Sequence, residues 1–576
     1  MNEVKYMKFA GWGDPEKSFS LEERPNLGAF VHRVSGISDL TPESPVDLES
    51  ISLPEPHHDE VFLSSLRSRL TDEQLCFDRE ARLNHCYGKS YRDLLRAFAG
   101  DVERAPDLVV YPESLEEVEC IVEAARSRPV QLIAFGGGTN IVGGVEFSQN
   151  FTGMAVTVSL RRMNRVLHID ETSLVATIEA GILGPQLEAT LNEAGYSLGH
   201  FPDSFEYSTL GGWLATRSAG MQSDRWGKIE DMVVSLTMVS PGGTLRTPAV
   251  PRAAAGPDLN QVVVGSEGVL GIITEATMRI HPVQAGSYRS ALLPDFSTGV
   301  ELLRRCAQDI GAPSTLRLSC PEETQLGMAM RPQASRGKAL ANRFGKAWLR
   351  ATTRIRMKEA CVLVLGFEGG REEIASQQRR ILSLVRSLGG IDLGTAAGDR
   401  WFAGKYDYPY LRDALMSRGG MVDVTETSVL WEGVLPLYAK VKEVLHDHLR
   451  QGEFPGYVGC HISHSYPSGA CLYFTFAARQ EEGKELEQYL KVKRAVVDVL
   501  VESGAALSHH HAIGYEHLPW MERCLGETGL SVLSGLKQAL DPENLCNPGK
   551  LIPDPNAEIA SGWSTTGPET PEPTSR

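Results

Sequence analysis

The clearest hydrophobic pattern of the chain predicts two strands joined by a helix between residues 108 and 135. The apolar run 108–111 is typical of a strand, and apolar positions then recur at helical spacing over Leu115–Ala125. Ser114 begins a capping-box signature for that helix. A second apolar run, 130–135, leads directly into the glycine-rich segment 136–144. We therefore expect a βαβ unit whose final loop binds an anion such as a diphosphate through its backbone amides.

Two further segments strengthen the prediction of a cofactor site. Residues 202–220 combine glycine with serine and threonine and show neither a hydrophobic period nor a simple turn signature. Small residues let a backbone approach a ligand closely, and residues 265–271 form another glycine-containing loop. One glycine loop alone is compatible with a plain turn, but three such segments indicate a dinucleotide site. Because 136–144 lacks the GxGxxG spacing, a nicotinamide-dinucleotide fold is a poor match.

The hydrophobic pattern also divides the chain into parts. Helical stretches such as 60–70 come first, and short strands such as 174–180 and 233–239 accompany the glycine-rich loops. After residue 284, longer helices alternate with apolar strands such as 361–367 and 471–477. The predicted parts are an N-terminal helical lead-in, 1–103; a cofactor-binding domain, 104–283; a cap or substrate domain, 284–500; a C-terminal segment, 501–553; and a disordered tail, 554–576, rich in Pro, Ser, Thr and Glu.

Charge and composition narrow the class of protein. The 576-residue chain has a net charge of −16, which argues against nucleic-acid binding. Its ten cysteines form no CxxC pair, so we predict buried thiols in a reducing compartment, with neither a disulfide framework nor a zinc site. No apolar stretch follows the first residues as in a signal peptide, and no run reaches the length of a membrane span. These features predict a cytoplasmic location.

Seven motifs occur together in an order that is typical of one flavoenzyme family. Within the vanillyl-alcohol-oxidase superfamily, the chain resembles the alkyldihydroxyacetonephosphate synthase family over roughly residues 8–550. The motifs lie at residues 8–13, 202–209, 227–231, 265–271, 410–413, 469–474 and 508–511. The flavin motifs are shared by the whole superfamily, whereas the histidine triplet 509–511 and the Tyr-Leu-Arg-Asp sequence 410–413 discriminate between its members.

The resemblance implies both a fold and an activity. The fold is α+β: a two-lobed PCMH-type FAD-binding domain, and an α+β cap domain with an antiparallel sheet and C-terminal helices. The activity is that of a transferase, which replaces the acyl chain of acyl-dihydroxyacetone phosphate by a fatty alcohol through a flavin N5 adduct, without net redox change. The alternatives are an FAD-linked oxidase or dehydrogenase of a 2-hydroxy acid or alcohol, and a flavin-binding protein without catalysis.

The cofactor-binding residues implied by the resemblance fall in the three glycine-containing segments. Covalent flavoproteins of the superfamily often attach the flavin to a histidine in the first segment. No histidine lies between Phe135 and Gly144, so we predict that FAD is held noncovalently. The implied residues are Phe135, Gly136, Gly137, Gly138, Thr139, Asn140, Ile141, Asp203, Ser204, Phe205, Glu206, Tyr207, Ser208, Thr209, Thr216, Arg217, Ser218, Ala219, Glu267, Gly268, Val269, Leu270, Gly271, Ile272 and Ile273.

Two arginines are candidates for contacts with the substrate. By resemblance, Arg412 binds the substrate phosphate, since a guanidinium matches phosphate oxygens bidentately. The alternative is a structural pair with the neighbouring Asp413. Arg317 lies in an apolar strand, where an unpaired charge would be costly, and resembles a second functional arginine of the family. Its alternative is a paired arginine of the cap domain.

Tyr473 is the predicted proton carrier. It lies in the apolar strand 471–477, and a buried phenol beside a cationic cluster can have its pKa lowered and transfer a proton. By resemblance, Tyr473 handles the proton of the substrate carbon that changes its substituent. The alternative is a tyrosine that only packs in the core.

The triplet His509, His510 and His511 predicts a proton relay and an anion-binding surface near the flavin. On a strand, adjacent residues alternate faces, which disfavours a three-histidine metal site. A site using His461 and His464 is a weaker alternative, and we predict no metal. The triplet is followed by Ala512 where the family usually has glycine, and 515–517 replaces a more basic continuation, so the shape of this loop stays open.

The segment 331–358 reverses the acidic character of the chain. It holds nine basic residues and no acidic one, and Leu340, Phe344, Trp348 and Ile355 fall near helical spacing. Such a helix can lie in a membrane interface and attract anionic lipid, which predicts peripheral membrane contact and access to a lipid substrate. The alternative is a solvated cap-domain helix that packs its apolar stripe inward. A homodimer is a further expectation.

Overall fold

The computed structural model describes residues 6–21, 23–38, 41–331, 355–554 and 556 of the protein. The first sheet is built around the predicted βαβ unit and has the strand order β1-β2-β4-β3. Its strands β2, β4 and β3 are parallel, whereas β1 pairs antiparallel with β2. The strands are β1 (Leu75–Cys76), β2 (Leu108–Val110), β3 (Val130–Phe135) and β4 (Met154–Ser159). Because β1 precedes residue 103, part of the N-terminal lead-in completes this sheet.

A second, five-stranded antiparallel sheet has the order β5-β6-β10-β8-β9. A two-stranded pair, β7 with β11, lies apart from it. The strands are β5 (Val166–Asp170), β6 (Val175–Glu179), β7 (Tyr196–Ser197), β8 (Val233–Ser240), β9 (Gly243–Arg246), β10 (Ile272–Arg279) and β11 (His281–Pro282). One hydrophobic core joins the first two sheets, since apolar residues of both pack in the same cluster.

The third sheet is seven-stranded, with the order β15-β12-β14-β13-β17-β18-β16. All of its pairs are antiparallel. The strands are β12 (Gly286–Leu293), β13 (Thr315–Ser319), β14 (Cys361–Glu368), β15 (Ile391–Gly394), β16 (Gly420–Leu430), β17 (Tyr457–Ser465) and β18 (Gly469–Arg479). Alternation along β18 separates its two faces: Leu472, Phe474 and Phe476 pack in the core, and Tyr473 and Thr475 face a cavity.

The helices pack against the sheets, and one face of the third sheet lines a cavity. Of the described helices, those in the first half are α1 (Pro25–Ser35), α2 (Glu60–Leu66), α3 (Arg79–Asn84), α4 (Tyr91–Ala99), α5 (Leu115–Ala125), α6 (Gly184–Glu193), α7 (Leu210–Thr216), α8 (Ser223–Trp226), α9 (Ile229–Met232) and α10 (Leu259–Val263). Those of the second half are α11 (Phe296–Arg305), α12 (Pro321–Ala329), α13 (Arg371–Ser387), α14 (Ala396–Ala403), α15 (Tyr408–Met416), α16 (Trp431–Leu449), α17 (Glu485–Glu502) and α18 (Met521–Leu540). Among these described helices, none combines the length and apolar character that crossing a bilayer requires.

Helix α5 shows how closely local sequence determines an element. It has the predicted bounds, and Val118, Ile121 and Val122 bury one face in the core shared by the first two sheets. Ser114 caps it by accepting the Glu117 N–H at 3.3 Å. Glu117 does not complete a capping box, because its carboxylate accepts the Glu113 N–H and the Gln74 amide instead. The predicted cap is confirmed for Ser114, whereas the reciprocal bond goes to neighbours outside the helix.

The C-terminal segment returns to the first sheet. The Leu132 N–H donates to the Leu545 carbonyl at 2.8 Å, and Leu132 forms a bridge with Cys546. The histidine triplet lies on a bend rather than a strand, so the strand-based argument about its faces is wrong. Of the predicted tail, only residues 554 and 556 are among the described residues, and the basic segment 331–358 is described only at 331 and 355–358.

Candidate active site

A cavity of about 410 Å³ lies between the first two sheets and the seven-stranded sheet. We call its first side the glycine wall: the lining residues within 134–145, 201–221 and 267–273. The second side, the cap wall, consists of the lining residues on β13, β16, β17 and β18 together with His510 and His511. Segments distant in sequence thus enclose a single volume.

The glycine-rich loop after β3 brings its backbone close to residues 207–209. A Cβ atom on Gly137 would overlap the carbonyl oxygen of Tyr207. A Cβ atom on Gly136 would overlap the hydroxyl of Thr209. The loop therefore presents main chain rather than side chains to the cavity, which fits the close approach of a diphosphate.

The segment 202–220 folds as a turn followed by α7. Thr209 caps α7, with its hydroxyl oxygen accepting the Gly212 N–H at 3.3 Å. The Ser208 hydroxyl accepts the Trp213 indole N–H at 2.7 Å. Both hydroxyl-bearing residues also line the cavity, so they organise the segment and border the same volume.

Most of the predicted cofactor residues line the cavity together. They come from all three segments, which supports one continuous binding surface. The lining residues are Phe135, Gly136, Gly137, Gly138, Thr139, Asn140, Ile141, Asp203, Ser204, Ser208, Thr209, Thr216, Ser218, Ala219, Glu267, Gly268, Gly271 and Ile273.

The other predicted cofactor residues do not line the cavity. Arg217 ends α7 in a left-handed conformation, φ 51°, and donates to the Gln261 carbonyl at 2.8 Å. The ring of Phe205 stacks beside Tyr406 at 5.7 Å, outside the lining. Alternation in the strand that begins at Ile272 buries one set of side chains while Ile273 faces the cavity. The residues outside the lining are Phe205, Glu206, Tyr207, Arg217, Val269, Leu270 and Ile272.

Strand register places the cap-wall side chains in rows. His461 on β17, Tyr473 on β18 and Glu426 on β16 are direct neighbours across the sheet. The next row, two residues away from His461 and Tyr473, pairs Gly459 with Thr475. The row after it pairs residue 457 with residue 477. The rows run from a polar end at His461 and Tyr473 to an apolar end at Ala477.

Tyr473 lies in the centre of the cap wall. Its ring stacks on His461 at a centroid distance of 4.7 Å and meets His511 edge-on at 5.3 Å. Burial raises the pKa of the Tyr473 phenol well above its usual value, and the carboxylates of Asp203 and Glu426 raise it further. The expectation of a lowered pKa is therefore wrong. The phenol is neutral at pH 7 and is available as a hydrogen-bond donor.

Arg317 lines the cavity and is paired. Its guanidinium lies 2.8 Å from the Glu323 carboxylate and 3.0 Å from Nδ1 of His461, which in turn lies 3.1 Å from Glu323. Burial alone would raise the pKa of Glu323, but contact with His461 and Arg317 outweighs it and lowers that pKa to about 2. The ionised carboxylate therefore fixes the direction of the guanidinium and of the imidazole.

Arg412 lines the same cavity from α15. It donates to the Lys89 carbonyl at 2.8 Å and to Asp413 Oδ1 at 3.3 Å. The structural pair with Asp413, considered as the alternative to a phosphate contact, is thus present. Asp413 also accepts the Trp12 N–H. This arrangement holds Arg412 at the cavity surface, so the pair and a phosphate contact are compatible.

The histidine triplet is organised by one buried carboxylate. Glu426 accepts the Ser508 hydroxyl at 2.7 Å and the N–H groups of His509, His510 and His511 at 3.0, 3.1 and 3.1 Å. Burial would raise the pKa of Glu426, but its contacts with His510 and His511 hold that pKa well below the usual value. The carboxylate is therefore ionised and fixes the bend. His510 and His511 line the cavity, and His509 does not.

A set of metal-ligand types surrounds the same carboxylate. Candidate ligand atoms of Glu426, Cys471, His509 and His510 all lie within 4.8 Å of one another. The carboxylate already accepts four donors, so its oxygens are used to position the triplet. We assign Glu426 as a structural anion, and the prediction of no metal stays a prediction.

One end of the cavity is an apolar arm. It lies between α1, α12, α15 and the ends of β16 and β18, and buried residues of these elements pack together. Its lining residues are Leu27, Phe30, Val31, Val34, Leu326, Leu411, Leu415, Val422 and Ala477. No local sequence pattern predicts this arm, because its residues come from five elements and each one resembles an ordinary core position.

Several polar residues of the site were also not identified from the sequence. Glu323, Asp423 and Tyr457 line the cavity, and Glu426 lies behind it. A signal existed for one strand: positions 457, 459, 461 and 463 alternate with the core-facing Val458, Cys460 and Ile462. The partners of Glu323 and Glu426 depend on tertiary contacts and have no local signature.

Comparison with known proteins supports both halves of the site. Residues 106–248 match the family described as "FAD binding domain", and residues 284–551 match "FAD linked oxidases, C-terminal domain". The cofactor prediction, FAD, is therefore confirmed. The α+β fold class is confirmed as well, with its FAD-binding domain and antiparallel cap sheet.

The full-length relatives are more specific. The chain is 39% identical over 573 residues to "Alkyldihydroxyacetonephosphate synthase" of Dictyostelium discoideum, covering 95% of this chain and 93% of the relative. It is 35% identical to the protein of that name from Trypanosoma brucei brucei, covering 96% and 93%. A solved alkyldihydroxyacetonephosphate synthase superposes with a TM-score of 0.82 at 36% identity, covering 95% of this chain and 99% of that one. The chain therefore belongs to the alkyldihydroxyacetonephosphate synthase family.

Proposed function

We propose that the protein is an FAD-dependent alkyldihydroxyacetonephosphate synthase. In this reaction the bond between C1 of acyl-dihydroxyacetone phosphate and its acyl oxygen breaks, and a bond from C1 to the oxygen of a fatty alcohol forms. The fatty acid leaves with the proton of the alcohol. One observation carries the proposal: Arg412, Arg317, Tyr473, His510 and His511 line one cavity that joins a glycine wall to an apolar arm.

The residues of the glycine wall fit FAD. The loop 136–138 has no side chains to obstruct a diphosphate, and segments 201–221 and 267–273 extend this surface toward the cap wall. When bound there, the flavin ring supplies an atom that can hold the substrate carbon while its oxygen substituent is exchanged. We propose noncovalent binding, because the loop from Phe135 to Gly144 contains no histidine. Acid precipitation tests this: the flavin is expected in the supernatant, and flavin retained on the denatured protein contradicts it.

The cap wall then moves the C1 proton. Burial, followed by the neighbouring His510, holds the pKa of His511 well below 6.5, so its imidazole is a neutral base at pH 7. The phenol of Tyr473 lies beside it and is protonated. We assign the proton of C1 to a relay of these two groups. Tyr473 returns it after the exchange, since C1 carries the same number of hydrogens in substrate and product.

The charged groups orient the two ends of the substrate. Arg412 matches the phosphate with a planar, permanently charged fork. Arg317 is held by Glu323 beside Tyr473 and polarises the oxygen atoms next to C1. The aliphatic chain then extends into the apolar arm, away from both arginines. This order of groups matches a molecule with a phosphate, a ketone and a long chain.

The deciding experiment incubates the purified holoenzyme with palmitoyl-dihydroxyacetone phosphate and labelled hexadecanol. The proposal predicts labelled hexadecyl-dihydroxyacetone phosphate together with an equal amount of palmitate. Absence of the labelled ether, combined with bleaching of the flavin by D-lactate or another 2-hydroxy acid, would overturn it.

That second outcome corresponds to an FAD-linked oxidoreductase. One observation favours this candidate: residues 284–551 match a family of FAD linked oxidases. In such an enzyme Arg412 would bind a carboxylate and the triplet would accept a hydroxyl proton. The apolar arm has no role in that reaction with a short hydroxy acid, which is why the transferase is the preferred function.

The domain limits and assembly also remain proposals. We propose the predicted limits 104–283 and 284–500, with 501–553 closing the cavity through the triplet. Segment 331–358, largely outside the described residues, is proposed to make peripheral contact with a membrane on its cytoplasmic side. Liposome binding that is unchanged by Trp348→Glu combined with Arg350→Glu would reject this contact.

We also propose that the protein is a homodimer. Light scattering tests this, and the mass of a monomer would contradict it.

A further inference from the structure

Tyr457 carries a buried hydroxyl that has no partner among the described residues. Its side chain lines the cavity, only 6% of the residue is exposed, and no hydrogen bond satisfies its oxygen within the described part of the chain. A buried hydroxyl without a partner costs free energy, whereas a phenylalanine at this position would not. The residue lines a ligand cavity while its oxygen lacks a protein partner, which points to a ligand atom as that partner.

We propose that the Tyr457 hydroxyl binds the oxygen at the head of the aliphatic chain and thereby sets how far the chain enters the apolar arm. The oxygen is the ester carbonyl of the acyl donor or the hydroxyl of the fatty alcohol. This inference rests on the proposed transferase function. It adds a residue that determines the position of the chain to a site whose other polar groups hold the phosphate and C1.

The surroundings of Tyr457 mark a boundary between polar and apolar regions. On one side its ring packs edge-on against Phe30 at 5.8 Å and beside Ala477, both residues of the apolar arm. On the other side lie the ionised Glu323 and the phenol of Tyr408, both lining the cavity. The hydroxyl therefore stands where an aliphatic chain ends and its oxygen-bearing head begins.

Strand geometry places the hydroxyl at a useful distance from the reacting carbon. A Cβ atom on Gly459 would overlap the Tyr457 hydroxyl, so the ring lies along β17 over that glycine. Gly459 is one two-residue step, about 7 Å, from the row of His461 and Tyr473. The ester carbonyl oxygen is three bonds from C1, and a hydrogen bond to it adds about 2.7 Å. The expected distance from C1 to the Tyr457 hydroxyl oxygen is then roughly 6 Å, close to the two-residue step.

The Tyr457 hydroxyl is available to donate a hydrogen bond to the ligand atom. Burial, and then the charge of Glu323, raise the pKa of the Tyr457 phenol well above its usual value, so it keeps its proton. Both proposed ligands offer a lone pair to a phenol proton. A chain without an oxygen-bearing head gains nothing from the hydroxyl.

The test is Tyr457→Phe, compared with Tyr438→Phe as the matched control. Tyr438 is also a partly buried cap-domain tyrosine, but its hydroxyl contacts Lys442 at 3.1 Å and it is absent from the cavity lining. We expect Tyr457→Phe to raise KM for hexadecanol and the Ki of the product palmitate by about 3- to 10-fold, the range of one neutral hydrogen bond. Its kcat at saturation and its FAD content stay near wild type, and its Tm is not lowered. Tyr438→Phe leaves KM and Ki unchanged.

Gly459→Ala gives a second variant that displaces the hydroxyl without removing it. We expect it to raise KM for hexadecanol in the same direction as Tyr457→Phe. If wild-type enzyme forms the ether and Tyr457→Phe does so with unchanged KM and Ki, the inference is overturned. If wild-type enzyme forms no ether, the proposed function itself fails, so the two failures are distinguishable.

Discussion

The glycine wall and the cap wall face each other across one cavity but are built in different ways. The glycine wall uses backbone and small side chains from three contiguous segments. The cap wall uses single side chains such as Tyr473 and His461, which are neighbours only through strand register. A cofactor surface can therefore be encoded by short contiguous segments. The reacting groups opposite it are brought together only when the whole sheet has formed.

The largest expected effect concerns the glycine wall. Gly137→Ala adds a Cβ that overlaps the Tyr207 carbonyl, so the loop must move away from residues 207–209. We expect loss of most of the bound FAD, measured as the ratio of absorbance at 450 nm to that at 280 nm. The cap sheet is distant in sequence and should keep its secondary structure in circular dichroism.

Gly535→Ala is the control for that substitution. Gly535 lies in α18, has open space where its Cβ would be and does not line the cavity. Its FAD content should equal that of wild type, with stability unchanged or raised by up to about 1 kcal/mol from helix propensity. Equal FAD content in both variants would contradict the role of the 136–138 backbone.

The second prediction concerns the phenolic oxygen of Tyr473 in the cap wall. Tyr473→Phe should lower kcat by roughly 10²- to 10⁴-fold, the usual contribution of one positioned proton-transfer group. FAD content and the KM for the acyl donor should change little, because the ring remains stacked beside His461. Steady-state kinetics on the purified variant measures both quantities. A kcat within a factor of three of wild type would assign Tyr473 to packing alone.

The third prediction tests Glu426 as the residue that positions the triplet. Glu426→Gln leaves at least some of four donors unsatisfied and should lower kcat by about tenfold or more. The negative charge of Glu426 raises the pKa of His511, while His510, Lys493 and His517 lower it. Removing the charge lowers that pKa further, so the acidic limb of the kcat profile should move to lower pH.

Glu426→Asp keeps the charge and serves as the conservative control. It should retain the wild-type position of the acidic limb even where its kcat falls. A pH profile measured from pH 5 to 8 separates the two effects. If Glu426→Gln lowers kcat with no movement of the limb, the carboxylate is a structural anchor without influence on proton transfer.

A more modest change is expected in the pH dependence of stability, which arises from buried histidines in the cap wall and next to it. Burial lowers the pKa of His464, His511 and His517, so each is neutral when folded. Below about pH 6.5 the unfolded chain binds protons that the folded chain does not, and stability falls by about 1.4 kcal/mol per pH unit for each such group. Thermal unfolding at pH 7.5 and 5.5 should show a Tm lower by several degrees at pH 5.5. The difference should shrink in His517→Gln and persist in the exposed-site control His168→Gln.

The sequence predicted the secondary structure near the glycine wall more completely than the side-chain arrangement of the cap wall. Helix α5 has its predicted bounds, and the strand predicted at 130–135 is β3, because apolar periodicity and a serine cap act locally. The family resemblance supplied only some of the residues opposite the glycine wall: Arg317, Arg412 and Tyr473 line the cavity as expected. The protonation state of Tyr473 was not predictable: its pKa is raised rather than lowered, first because the phenol is buried and then because the carboxylates of Asp203 and Glu426 lie near it.

Residues that act through others left no signal in the sequence. Glu426 is one of two acidic residues in the mixed strand β16, and only the bend after α17 brings four donors to it. In the sequence Tyr457 resembles an ordinary aromatic residue of a strand. The position of its hydroxyl over Gly459 is visible only in the folded chain. Burial and partners decide such roles, and both are properties of the folded chain.

In the proposed reaction the flavin and the cap wall together exchange the substituent on C1 without consuming electrons. The most direct measurement is anaerobic turnover of palmitoyl-dihydroxyacetone phosphate with labelled hexadecanol, with no electron acceptor present and the flavin spectrum recorded throughout. We expect many equivalents of ether per FAD and an oxidised flavin spectrum at the end. Product limited to one equivalent per FAD, with the flavin left reduced, would contradict it.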